Sequence, residues 1–104
     1  MAVHIKQLAD EVVGLEGVLD GESVPSILPA AKELLEKEQQ LIVDLERISY
    51  SDSSGLALLL QWLQHARDLN KGIQFRNMPQ QMRDIASVTG LLEVLPIIVN
   101  NELA

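Results

Sequence analysis

Apolar residues recur along this chain with two different periods. Val3 to Gln7 and Val12 to Leu19 have strand character and are separated by the turn-like Ala9-Asp10-Glu11, which predicts a hairpin. After Leu19 the polar run Asp20-Gly21-Glu22-Ser23 stops the strand, and Ser23 stands where it would cap a helix that accepts Pro25 in its first turn. Pro29 delays the regular part of that helix, which continues to Lys37 with Ile27, Leu28, Ala31, Leu34 and Leu35 at helical spacing. From Gln40 to Leu45 the apolar residues are successive instead of alternating, as in a strand covered on both faces, so both faces of the sheet are expected to carry something. A second helix is predicted from Ser53 to Leu69, with Asn70-Lys71-Gly72 as its stop, then a short strand from Ile73 to Arg76. Pro79 opens a third helix that runs to Val88 and ends at Gly90. The last apolar segment, Leu91 to Val99, contains Pro96 and is restricted to an edge strand. This order predicts an α/β fold with a mixed sheet, folded as one domain over residues 1–104.

Composition narrows the classes of function. Apolar residues make up 47% of the chain and aromatics only 3%, so the core must be aliphatic. A net charge of -7, with no local cluster of Lys and Arg, argues against nucleic acid and anionic lipid surfaces as direct partners. There is no cysteine, hence no disulfide framework and no thiol nucleophile. No apolar run reaches the roughly 18 residues of a membrane span, and the expected location is cytoplasmic, with no direct membrane insertion.

The junction at residues 51–55 is the candidate working surface. A buried strand hands over to a helix through Ser51-Asp52-Ser53-Ser54-Gly55, where unpaired N–H groups and the positive end of the helix dipole gather. Asp52 or Ser53 suffices to cap the helix, leaving more hydroxyls than one helix end uses. A surplus hydroxyl here suits phosphorylation, because the dipole favours the added charge while Asp52 opposes it; Ser53 and Ser54 are the candidate switch residues. On the helix that follows, Leu56, Leu59, Leu60 and Leu63 form one stripe, and Leu58, Trp62, His65 and Leu69 lie nearly opposite. The apolar arc is roughly 220° wide, against the 100° or so that one-sided packing needs. This predicts a further cover, either another helix or a protein partner anchored on an exposed Trp62. The expected partner-binding set is Ser51, Asp52, Ser53, Ser54, Gly55, Leu58, Trp62 and His65. In isolation such a face would favour a homodimer.

For chemistry there is little. His4 and His65 lack partners at metal-ligand spacing, and no Gly-x-Ser-x-Gly elbow, His-Glu-x-x-His or Gly-x-x-x-x-Gly-Lys loop is present. No catalytic residue, metal or cofactor is expected. A small-ligand or nucleotide site at the helix start remains an alternative, opposed by the lack of a glycine-rich phosphate loop and of any Lys or Arg between Arg47 and Arg67.

Gly17-Val18-Leu19-Asp20, Ile42-Val43-Asp44-Leu45 and Asp52-Ser53-Ser54-Gly55-Leu56, taken together and in this order, resemble the STAS domain, the family of bacterial anti-sigma factor antagonists. The resemblance implies a mixed central β-sheet covered mainly on one side by three or four α-helices, and a non-enzymatic protein-binding role. It also implies that Ser53, directly after the aspartate, stands at the phosphoacceptor position of the antagonist branch, whose partner is an anti-sigma factor kinase. Gly55-Leu56-Ala57-Leu58-Leu59-Leu60, the Leu19-Asp20 pair followed by Val24 and Leu28-Pro29, and Val94-Leu95-Pro96 are most similar to the stand-alone STAS subunits of Mla-type phospholipid-transport ABC systems. That similarity implies docking on the transporter's cytoplasmic ATPase subunit, peripheral to the inner membrane. At Ser53 and Ser54 the chain resembles the antagonist branch instead, since the Mla subunits tend to carry threonine and glycine there.

Overall fold

In the computed structural model, which describes residues 2–98, a hairpin opens the chain. Strand β1 (Val3–Ala9) pairs antiparallel with β2 (Val12–Leu19), and Glu11 takes a left-handed φ of 64° in the turn between them. A four-residue helix α1 (Val24–Ile27) and helix α2 (Ala30–Lys37) follow, divided at Leu28-Pro29 because Pro29 has no N–H to continue the first helix. Ser23 does not cap α1 with its side chain as the sequence predicts. Its hydroxyl donates to the Val18 carbonyl at 2.6 Å and accepts from the Asp20 N–H, tying the loop back to β2.

Strand β3 runs from Gln40 to Ser51, six residues beyond the apolar run from which the sequence predicts it. It stays paired because β2 lies parallel beside it from Val12↔Ile42 to Leu19↔Ser51, with irregularities after Gly14 and after Gly17 that absorb the odd residues. Helix α3 (Ser53–Asp68), strand β4 (Gly72–Arg76), helix α4 (Gln80–Thr89), a 3-10 turn (Leu91–Glu93) and a two-residue strand β5 (Ile97–Ile98) complete the order. The end of the predicted last segment, Val99, lies outside the described residues. The strands lie in the order β1-β2-β3-β4-β5, with every pairing after the hairpin parallel.

Helix α3 occupies the middle of the helical layer. It touches α1, α2 and α4 as well as β3 and β4, which is why its apolar arc is so wide. Leu56, Leu59 and Leu63 are buried, and so are Leu58, Trp62 and Ala66. The expectation that Trp62 and Leu58 present an uncovered face is therefore corrected: Trp62 is 0% exposed, and its indole Nε1 donates to the Leu28 carbonyl at 2.9 Å. The tryptophan thereby ties α3 to the chain at the break between α1 and α2. Leu41, Val43 and Leu45 of β3 point into the same core.

The second face of the sheet carries no helix among the described residues, contrary to the expectation from the continuous apolar run of β3. Ile42 is only half buried there. Leu8 lies over Gly14, where an added Cβ would come 3.0 Å from its Cδ1. Asp44 is closed over by polar side chains: Arg76 Nε donates to its Oδ2 at 2.8 Å, Asn77 Nδ2 donates to the same oxygen at 3.1 Å, and the Glu46 N–H donates to Oδ1. Burial pushes the Asp44 carboxyl up, but these hydrogen bonds and the Arg76 charge outweigh it and hold it below the usual carboxylate range.

Candidate functional site

Between the last residue of β3 and the first of α3 there is a single residue, Asp52. A reversal this tight requires that nearly every group be fixed internally. Ser51 is 0% exposed; its N–H donates to Gln81 Oε1 at the start of α4, and its Oγ donates to the Asp52 carbonyl at 2.9 Å. The Asp52 N–H donates to Leu19 O, joining the turn to the end of β2. The Asp52 carboxylate caps α3, accepting from the Ser54 N–H at 2.7 Å, while its carbonyl accepts from the Gly55 N–H. At Gly55 a Cβ would collide with Ser51 Oγ and come within 3.0 Å of Leu19 Cβ, so only glycine lets the helix begin this close to the sheet.

These bonds sort the residues that the sequence brings forward. Ser51 and Gly55 are buried and hold the turn in shape; their side-chain positions are not available to a partner. Asp52 is half buried and engaged as the cap. Ser54 is half buried, and its Oγ lies 3.8 Å from where a Cβ on Gly21 would stand. Leu58 and Trp62 belong to the core, and His65 is half buried farther along the helix. Ser53 alone is exposed, with a side chain that makes no hydrogen bond among the described residues.

The residues that accompany Ser53 outward are others. At about 100° per residue, Ser53, Ala57, Leu60, Gln64 and Arg67 fall within a stripe roughly 80° wide. Ala57, Gln64 and Arg67 are exposed and Leu60 is half buried. Ser53, Ala57 and Gln64 lie in the gap that the apolar arc leaves, a signal that an emphasis on the arc itself passes over, while Leu60 stands at the edge of the arc and Arg67 within it. Gln81, which steadies Ser51 from 30 residues away, has no such signal.

The neighbouring loop is acidic. Asp20 Oδ1 accepts from the Ser23 N–H at 2.8 Å and the Glu22 N–H at 3.0 Å. The Ser23 N–H, helped by that of Glu22 and by the Ser23 hydroxyl, holds the Asp20 carboxyl below its usual range against a smaller effect of burial. At the helix start itself, the Ser54 and Gly55 N–H groups already donate to Asp52, so the dipole serves this carboxylate before any external anion.

Comparison with known proteins agrees with this architecture. A family model described as "Mlab, STAS domain" matches residues 4–98. The chain is 24% identical over 101 residues to the anti-sigma-B factor antagonist of Bacillus subtilis (strain 168), an alignment covering 96% of this chain and 93% of that protein. An anti-sigma factor antagonist from Mycobacterium paratuberculosis has a similar structure, with a TM-score of 0.76 at 18% identity over 96% of this chain and 88% of the other. The anti-sigma factor antagonist SpoIIAA in its unphosphorylated form gives 0.70 at 21% identity, over 96% and 90% of the two chains. The phosphorylated form of SpoIIAA, described as a Bacillus cell fate determinant, gives 0.65 at 22% identity, over 96% and 94%. At these identities the structural likeness establishes the mixed-sheet fold.

Proposed function

The chain belongs to the Mlab-type STAS domain family, and from that premise we propose that it is a non-enzymatic regulatory subunit that binds a protein partner through Ser53 and the outward stripe of α3. The observation that carries this reading is the isolation of Ser53: in a turn where Ser51, Asp52 and Gly55 are locked, it is exposed at the first residue of a 16-residue helix, and its side chain makes no hydrogen bond among the described residues. Phosphorylation there would add a charge of about −1.5 to −2 beside Asp52, without any rearrangement of the turn. The surface offered to a partner would change while the fold stays the same.

The partner we propose is the cytoplasmic ATPase subunit of an Mla-type phospholipid ABC transporter, which would hold the protein at the cytoplasmic side of the inner membrane. The match to the Mlab-type family model over residues 4–98 supports this choice. A second reading, an anti-sigma factor antagonist that leaves its kinase partner when Ser53 is phosphorylated, draws support from the serine itself and from the Bacillus relative. Affinity capture from native membranes with the tagged protein separates them. Recovery of an ABC ATPase together with its permease is the expected result. A soluble kinase-like protein in its place would transfer the proposal to sigma-factor control, and recovery of neither would defeat both readings.

A further inference from the structure

Beyond Asp44↔Arg76, the last pairing of β3 with β4, strand β3 continues from Leu45 to Ser51 with no strand on that side among the described residues. The Asp52 N–H turns toward β2, where it donates to Leu19 O; the Ser51 N–H, one residue earlier, points the opposite way, into the space that β4 has left. Ser51 is 0% exposed, so this N–H is shielded from water and would be costly if left unpaired. Its acceptor is Gln81 Oε1 at 3.1 Å, from the second residue of α4. A side chain of α4 thus takes the place of the missing strand.

That bond is the first link of a series. Ser51 Oγ donates to the Asp52 carbonyl, the same carbonyl accepts from the Gly55 N–H, and the Asp52 carboxylate accepts from the Ser54 N–H. Ser53 lies inside this series, and its side chain adds no hydrogen bond to it among the described residues. Its position is inherited from Ser51, Asp52, Ser54 and Gly55. Because Gly55 packs so closely on Ser51 Oγ that no Cβ would fit between them, a displacement of Ser51 passes directly into the first turn of α3. Gln81 itself is exposed, and the bond to Ser51 is its one side-chain hydrogen bond among the described residues.

We propose that Gln81 is a positioning residue for the Ser53 site: by holding Ser51 it sets the turn that presents Ser53, and so makes partner affinity depend on a side chain of α4. It acts through Ser51 and requires no contact of its own with the partner, as the groups that support a binding site do. Its role in binding rests on the function proposed above. The hold on the turn rests on the hydrogen bonds alone.

The test compares wild type, Gln81→Leu and Gln81→Glu. Leucine keeps the helix propensity and most of the bulk and removes the acceptor; glutamate keeps an acceptor oxygen and removes the amide N–H groups. Amide hydrogen exchange of the full chain, followed by NMR, reads the turn, and calorimetric titration with the purified Mla-type ATPase subunit of the same organism reads binding. In Gln81→Leu the Ser51, Ser54 and Gly55 amides are expected to exchange about tenfold faster or more while Phe75 in β4 keeps its wild-type rate, and affinity is expected to fall about tenfold. Gln81→Glu is expected to restore both. Wild-type exchange at Ser54 and Gly55 in Gln81→Leu would overturn the inference while leaving the proposed function standing. An equal acceleration at Phe75 would overturn it as well, by reducing Gln81 to a general contribution to stability. So would affinity lost in both variants with exchange intact in Gln81→Glu, by making the Gln81 amide a direct contact. A wild-type chain that does not bind the ATPase would defeat the proposed function and the role of Gln81 in binding; the exchange rates decide separately whether Gln81 holds the turn.

Discussion

Helix α3 has two faces with opposite composition. Inward, Leu56, Leu58, Leu59, Trp62, Leu63 and Ala66 are all buried, shared among the sheet and three other helices. Outward, Ser53, Ala57, Gln61 and Gln64 are exposed and small or polar, and Gln64 donates along the helix to Asp68 Oδ1. A wide apolar arc on a helix therefore reports how many elements surround it, and not that a partner is missing. The surface available for binding is the narrow remainder of the wheel. Stability resides on one face and recognition on the other, so substitutions on the two faces have separable consequences.

The largest effect is expected on the inner face. Trp62→Ala removes the bulkiest core side chain and leaves the Leu28 carbonyl without its donor; urea denaturation should show a loss of about 3–5 kcal/mol. A wild-type midpoint in that variant would break the division between the faces. At the pivot of the helix, Gly55→Ala forces a methyl group against Ser51 Oγ and Leu19 and should cost about 1–3 kcal/mol by the same measurement.

A third change, away from α3, sharpens the contrast by altering stability without touching either face. The carboxyl of Asp44 is held below its ordinary value in the fold, so its contribution is complete above the usual carboxylate range and is lost as pH falls through the lower folded value. Asp44→Asn should lower stability at pH 7 by about 1–2 kcal/mol, a modest figure because Arg76 is one-third exposed. Between pH 6 and pH 3 the variant should lose less than wild type; Asp20, also held low, keeps the remaining loss above zero. An identical pH dependence in the two proteins would show that Asp44 is not the titrating group. Asp52→Ala, the loss of one helix cap, should cost about 1 kcal/mol in the same urea assay.

Much of this was legible before the fold was known. The hairpin, the helix starting at Ser53 and the stop at Gly90 follow from local signals, and the bounds of α3 and α4 agree to within one residue at each end, whereas the single helix expected before Lys37 is two, α1 and α2. The far half of β3 was not legible, because Glu46, Arg47, Ser49 and Tyr50 read as polar and exposed while the bulged pairing with β2 keeps them in the strand. The burial of Trp62 was hidden for a related reason. A helical wheel shows which residues share a side, but the cover for that side comes from the Leu28-Pro29 break, whose path depends on packing far along the chain. Contacts such as Ser51 with Gln81 and Asp44 with Asn77 join residues 30 and 33 positions apart and leave no local pattern.

The smallest effect on stability and the largest on binding should coincide at Ser53. Ser53→Glu places a charge at an exposed position next to the cap and should shift the unfolding free energy by no more than about 0.5 kcal/mol. The measurement that tests the proposed division most directly is partner capture by Ser53→Glu alongside wild type, with the urea midpoint of both proteins determined on the same preparations. An unchanged midpoint with the partner band lost is the predicted result. Partner recovered at the wild-type level by the folded variant would contradict the assignment of this face to binding.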